Sequence, residues 1–178
     1  MLSIKKYLIS LRLDFQYLSI LRGRLIKDIA SNKCDRGYLH ASTRGYLILF
    51  TINSCKLYEI LKNKNISRLI IDNQYLKSDV KDYKQLVEHK IKSLRNHYIV
   101  HPYQDSNNNL LPSDELQQRV DKLLGAEDNG HVSDLDFLVL LTKDIQKYES
   151  DGLYLTQEFI NILKNIQESS NTTAKQIQ

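Results

Sequence analysis

The sequence predicts an all-α protein, a single-domain helical bundle of about five to six helices. Apolar residues recur at intervals of three and four along much of the chain, which is the pattern of amphipathic helices. Glycine and proline are scarce, with 6 and 2 among 178 residues, so few positions interrupt a helix. A chain of this length is long enough for one domain with a core of its own.

The first half of the chain is predicted to form two long helices. The first runs from the N-terminus to about Ala30, and Arg22 is the one polar interruption of its apolar stripe. The stripe consists of Ile4, Leu8, Leu11, Phe15, Leu18, Leu25 and Ile29. The second helix covers residues 38–61, and we expect it to be central because its middle is apolar on most sides. The segment NKNISRLIIDNQ is predicted to be a connector with a short apolar piece at residues 69–71.

The second half is predicted to contain shorter helices. A third helix begins near Asp79, a short helix covers residues 113–124, and Ser133 caps another. The segment DGLYL follows, and Thr156 then opens a last helix that ends near Ile166. The domain is therefore predicted over residues 1–168, with a disordered polar tail over residues 169–178.

Charge and hydropathy narrow the cellular setting. The net charge of +4 permits a polyanionic partner without requiring one. The most apolar run, YLILFTI, is too short to cross a bilayer, and Arg12 and Asp14 interrupt the apolar N-terminus. Cys34 and Cys55 form no CxxC pair. We expect no membrane or targeting segment, reduced thiols and a cytoplasmic location.

The third helix has an apolar face and a basic face. The basic face carries Lys77, Lys81, Lys84, Glu88, Lys92 and Arg95. Such a charge run is most often a solvated surface, but it can also guide a phosphodiester backbone. In the second interpretation Lys81, Lys84 and Lys92 bind RNA, and Tyr103 stacks on a base.

The basic face ends in the stretch RNHYIVHPY, residues 95–103. The residue before a proline is disfavoured in the α region, so Pro102 places His101 just beyond the regular helix. Its imidazole can then be aimed separately from the apolar stripe. On an ideal helix Arg95 and His101 would point roughly 120° apart.

Arg95, Asn96 and His101 resemble the R-x4-6-H motif of HEPN domains, which are small helical bundles. The resemblance implies a metal-independent endoribonuclease in which Arg95 and His101 form the catalytic pair and Asn96 supports them. It further implies RNA as substrate, no cofactor, a homodimer whose two motifs face one cleft, and a role in toxin–antitoxin or antiviral defence. Histidine suits the proton transfer and arginine suits the phosphate oxygens when a 2′-hydroxyl attacks its own phosphodiester.

Tyr103 carries a narrower resemblance. The toxins of HEPN–MNT toxin–antitoxin pairs have the motif R-x4-H-x-Y, whose tyrosine is nucleotidylated by the antitoxin. Here five residues separate Arg95 from His101, and Pro102 stands between His101 and Tyr103. The resemblance implies that Tyr103 is a modification site and that an antitoxin, of nucleotidyltransferase type or another, is a partner.

Two other functions stay open. The protein is then either a HEPN-like module that binds a nucleotide, RNA or protein without catalysis, or a helical interaction protein with a chance motif. Without a function in the site, Arg95 is a cation near a helix C-terminus, where the helix dipole favours it. His97 and His101 stand four residues apart, but Pro102 disturbs their geometry and no HExxH motif is present. We therefore predict no metal site.

Overall fold

The computed structural model describes residues 2–31, 36–92 and 145–176, and every regular element in these ranges is helical. The elements are α1 (Leu2–Ser31), α2 (Arg36–Leu61), α3 (Lys64–Asp72), a 3₁₀ turn (Gln74–Leu76), α4 (Lys77–Leu86), a π-helical turn (Val87–Ile91) and α5 (Gln146–Gln176). The predicted all-α fold is confirmed. Among the described residues, no helix combines the length and apolarity needed to span a membrane. The helices predicted over residues 113–124 and after Ser133 begin outside these ranges.

The core lies where α1 packs against α5 and α2. Leu8, Phe15 and Leu18 of the predicted α1 stripe are fully buried, as are Leu57 of α2 and Phe159 of α5. Each such side chain contributes roughly 1.5–3 kcal/mol through its removal from water. In the described part, α2 contacts all four other α-helices and the π-helical turn, which agrees with its predicted central position.

Arg22, the polar interruption of the α1 stripe, is half of a buried ion pair. Its Nε lies 2.8 Å from Oε2 of Glu149 in α5, and the two side chains are 13% and 1% exposed. The Tyr46 hydroxyl of α2 donates a hydrogen bond to the other carboxylate oxygen, Oε1. Burial, followed by the negative charge of Glu149, strongly raises the pKa of Tyr46, so its hydroxyl stays a donor. Three helices therefore meet at one carboxylate.

The connector predicted between α2 and α4 is helical instead. The Asn63 side chain caps α3 by accepting a hydrogen bond from the Asn65 backbone N–H at 3.0 Å. Ile66 and Leu69, three residues apart, are buried on one face of α3. The prediction was wrong because it counts only residues 69–71 as apolar, although Ile66 completes a helical repeat. α4 begins at Lys77, two residues before the predicted Asp79.

The break predicted at DGLYL is absent, because α5 runs without interruption through Gly152 and Thr156. Gly152 is buried, and a Cβ atom built on it would lie 2.7 Å from the ring of Phe15. The glycine thus permits close approach of α1 and α5 and does not end the helix. α5 also continues to Gln176 past the predicted end near Ile166, since no glycine or proline follows Gly152. The predicted boundary at residue 169 falls inside this helix.

Arg22, Tyr46 and Glu149 form a buried triad. Removal of one partner is predicted to lower stability much more than removal of all three. Arg22→Met should destabilise the protein by about 3–5 kcal/mol, because Glu149 would stay buried without its cation. Replacement of all three partners, Arg22→Met with Tyr46→Phe and Glu149→Leu, should restore stability to within about 1 kcal/mol. Urea unfolding followed by circular dichroism measures both. Lys147→Met, which removes the exposed ion pair with Asp151, is the control and should change stability by less than about 1 kcal/mol.

Substitution by alanine is predicted to change stability in opposite directions at Gly152 and Gly23. Gly152→Ala should destabilise by about 1–3 kcal/mol, since the new methyl group meets the buried Phe15 ring. Gly23→Ala in α1 should stabilise by up to about 1 kcal/mol, because nothing lies within 4 Å of its added Cβ and alanine favours the helix. Thermal unfolding of the two variants compares them directly. Equal stabilisation by both would contradict the tight helix contact.

Candidate nucleic-acid interface

The helix that leads to the RNHYIVH motif has the two faces predicted from its sequence. Its inner face is buried, with Val80, Tyr83, Val87 and Ile91 each less than 5% exposed. Lys81 and Glu88 of the outer face are exposed, and Lys84 and Lys92 are half-buried. Burial of one face therefore fixes the direction in which the basic face points.

A π-helical turn, Val87–Ile91, interrupts the regular α-helix just before the motif. Such turns contain an extra residue and occur frequently at functional sites. The wider turn therefore changes the angle between Lys84, which precedes it, and Lys92, which follows it, from that of a regular α-helix.

Tyr58 of α2 anchors the basic face. Its hydroxyl donates a hydrogen bond to the Glu88 carboxylate. The Lys92 ammonium donates to Glu88 Oε1 at 2.8 Å and to the Tyr58 hydroxyl oxygen at 3.2 Å. The same ammonium lies 4.4 Å from the centre of the Tyr58 ring, within the range of a cation–π interaction. Tyr58 is 6% exposed, so it holds Glu88 and Lys92 in place from a rigid position.

The hydrogen bonds explain the protonation states of this pair. The bond from Lys92, and then the bond from Tyr58, lower the pKa of Glu88 below its usual range. The bond to Glu88 in turn raises the pKa of Lys92. Glu88 is thus a carboxylate and Lys92 an ammonium at neutral pH.

Two further lysines extend this arrangement. The Lys62 ammonium, at the end of α2, lies 5.1 Å from the centre of the Tyr58 ring. Partial burial, and then the positive charge of Lys62, lower the pKa of Lys84. Within the described ranges, no carboxylate forms an ion pair with Lys62 or Lys84. We call Tyr58, Lys62, Lys84, Glu88 and Lys92 the lysine cluster.

The lysine cluster carries an excess of positive charge. It contains three lysines and one glutamate, which gives the cluster a net charge of +2. Mutual repulsion between neighbouring cations is relieved when an anion binds between them. Phosphate groups of a nucleic acid are anions of suitable size and charge.

The predicted site residues divide into two groups. Lys84 and Lys92 belong to the lysine cluster, and Lys81 lies one turn earlier on the same face. Arg95, Asn96, His101 and Tyr103 lie outside the described residues. His89 is exposed, as expected for a residue on the polar side. Tyr58 of α2 and Lys62, one residue past its end, were not predicted from the sequence, because only tertiary packing brings them to the basic face.

Two other features of the surface offer no comparable chemistry. An open groove of about 550 Å³ separates the start of α1 from the end of α2, with Tyr7, Lys56 and Glu59 in its walls. It contains none of the predicted site residues. In the described part of the chain, no group of three or more His, Cys, Asp or Glu side chains is arranged to hold a metal ion.

A comparison with protein-family models, with curated proteins and with solved structures finds no match to this chain. The HEPN resemblance therefore rests on the motif and on the helical fold.

The lysine cluster predicts a measurable salt dependence. Lys62→Ala should weaken binding of a single-stranded DNA oligonucleotide and lower the slope of log K against log salt by about 0.7 for one lost phosphate contact. Glu88→Gln should strengthen binding, because it removes the internal counterion. Fluorescence anisotropy at several salt concentrations measures both. Lys164→Ala in α5 is the control, and an equal loss there would contradict a localised site.

Proposed function

We propose that the protein is a metal-independent endoribonuclease of HEPN type. It acts as a homodimer on RNA in a toxin–antitoxin or antiviral defence setting, with an antitoxin as a further partner. The observation that carries the proposal is the lysine cluster. It brings Lys62, which directly follows α2, together with Lys92 of the basic face over the ring of Tyr58. Lys92 lies three residues before Arg95 in the sequence.

The lysine cluster supplies the binding half of this function. RNA phosphates lie along Lys81, Lys84 and Lys92, with Lys62 as a contact from α2. Tyr58 holds Lys62 and Lys92 over a single buried ring, so the spacing of their charges is set before RNA arrives. Preorganised cations lose little side-chain freedom on binding, which favours affinity. The RNA backbone is then directed towards the motif, which begins three residues after Lys92 in the sequence.

The motif supplies the chemical half. His101 removes the proton of a 2′-hydroxyl, and the resulting oxygen attacks the adjacent phosphorus. Arg95 stabilises the charge on the phosphorane, and Asn96 supports the phosphate or the imidazole. The bond from phosphorus to the 5′ oxygen breaks and that oxygen takes up a proton. The products are a 2′,3′-cyclic phosphate and a 5′-hydroxyl.

A second function is favoured by one feature of the lysine cluster. The cluster includes neither Arg95 nor His101, so its excess charge is present without the motif. A HEPN-like module that binds RNA or a nucleotide without cleaving it would need nothing more. The two functions differ only in whether bound RNA is cut.

Substitution of the motif residues separates the two functions. His101→Ala should lower the rate of cleavage by about 10²–10⁴ while RNA affinity is largely retained, because only the proton-transfer group is lost. Arg95→Ala should weaken both cleavage and binding, with a smaller salt dependence. Excess EDTA should leave wild-type cleavage unchanged. Cleavage and binding of a labelled single-stranded RNA are measured on the same preparations.

His89→Ala provides the matched control, since His89 is an exposed histidine of the π-helical turn, and the activity of this variant should equal that of the wild type. A folded His101→Ala variant with full activity would exclude the proposed mechanism. RNA binding by the wild type without cleavage would instead establish the binding module.

A further inference from the structure

Helix α1 is apolar on the side that faces away from the core. Ile9, Leu13, Tyr17 and Ile20 are between 42% and 56% exposed. Their spacing of four, four and three residues places them in one line along the helix, about 17 Å long. Leu8, Leu11, Phe15 and Leu18 occupy the buried side of the same turns. We call the exposed line the outer stripe.

Exposed cations lie at both ends of the outer stripe. Lys6 precedes Ile9 by three residues, and Arg24 and Lys27 follow Ile20 by four and seven residues, so all three continue the line. Each of these cations is exposed. Asp14 lies off the line and is half-buried, whereas Asp28, four residues after Arg24, is half-buried at the end of the line, where the two cations outnumber it. The surface is therefore an apolar strip between two positive ends.

This charge pattern does not suit a second copy of α1. An antiparallel pair that joins Leu13 to Tyr17 of the other copy also places Lys6 opposite Arg24. A parallel pair in register places each cation beside its own equivalent. Like charges brought together across an interface oppose association. The outer stripe needs a partner with negative charge at both ends.

The width of the outer stripe favours another helix as that partner. A helix that rests on a lipid surface presents a broad apolar face opposite a strongly polar one. The outer stripe is one residue wide, which is the form of a seam between two packed helices. Three turns of a partner helix cover its apolar length.

We propose that the outer stripe of α1 binds an amphipathic helix of another protein, with an apolar line of about three turns and acidic residues at both ends. Leu13 and Tyr17 are the central contacts, and Lys6, Arg24 and Lys27 pair with the acidic ends. This interaction is independent of RNA cleavage, because α1 contributes no residue to the lysine cluster.

Two synthetic helical peptides serve as probes of this surface. Both have the same leucine line of three turns, and one ends in glutamates while the other ends in lysines. In fluorescence anisotropy the full chain should bind the glutamate peptide at least about tenfold more tightly than the lysine peptide. The double variant Leu13→Ser with Tyr17→Ser should lose at least about tenfold of that affinity. Circular dichroism checks that this variant keeps its fold.

Charge reversal provides the sharper measurement. Arg24→Glu with Lys27→Glu should shift the preference towards the lysine peptide. Ile71→Ser in α3 is the matched control. Ile71 is 68% exposed and lies outside α1, so this substitution should leave the affinity for both peptides unchanged. Equal binding of the two peptides would overturn the proposal. If the two peptides bound equally, vesicle binding or dimerisation that requires Leu13 and Tyr17 would identify a lipid surface or a second copy as the occupant instead. Phosphatidylserine vesicles test the first case, and light scattering tests the second.

Discussion

The carboxylate of Glu149 is the point on which the arrangement of the described helices depends. It is 1% exposed, and it accepts hydrogen bonds from Arg22 of α1 and Tyr46 of α2 while belonging to α5. A charge buried this deeply is tolerated only when its partners are correctly placed, because an unpaired buried ion costs several kcal/mol. The triad therefore penalises any register of α1, α2 and α5 other than the observed one. Apolar packing alone, which is not directional, would discriminate less.

The register set at Glu149 extends along α2 to the candidate interface. Tyr58 stands twelve residues after Tyr46, about 18 Å along the same helix. Its position decides where Lys62 and Lys92 can place their ammonium groups, since both lie over its ring. With Lys84 the lysine cluster contains three lysines, of which Glu88 compensates one, so the cluster keeps a net charge of +2. The same interior that orders the bundle thus sets the positions of the cations in the proposed phosphate-binding surface.

Local patterns were sufficient to predict the helical class, the apolar stripe of α1 and the basic face of α4. They failed where the deciding contact is distant in sequence. Arg22 interrupts an apolar stripe because its partner lies 127 residues away. Gly152 looked like part of a break, although it is the point where Phe15 approaches α5. Lys62 was missed as a member of the site because α2 reaches the basic face only through tertiary packing. Arg95 and His101 stay predictions, since they lie outside the described residues.

A crystal structure of the protein with a single-stranded RNA that lacks the 2′-hydroxyl at one nucleotide would test the central claim most directly. Without that hydroxyl the strand binds at this position but is not cut there. We predict phosphates within hydrogen-bonding distance, about 3 Å, of the Lys62 and Lys84 ammonium groups. We also predict one phosphodiester between Arg95 and His101, in a cleft formed by two copies of the chain. RNA bound away from the lysine cluster, or Arg95 and His101 directed to separate sites, would contradict the proposed function.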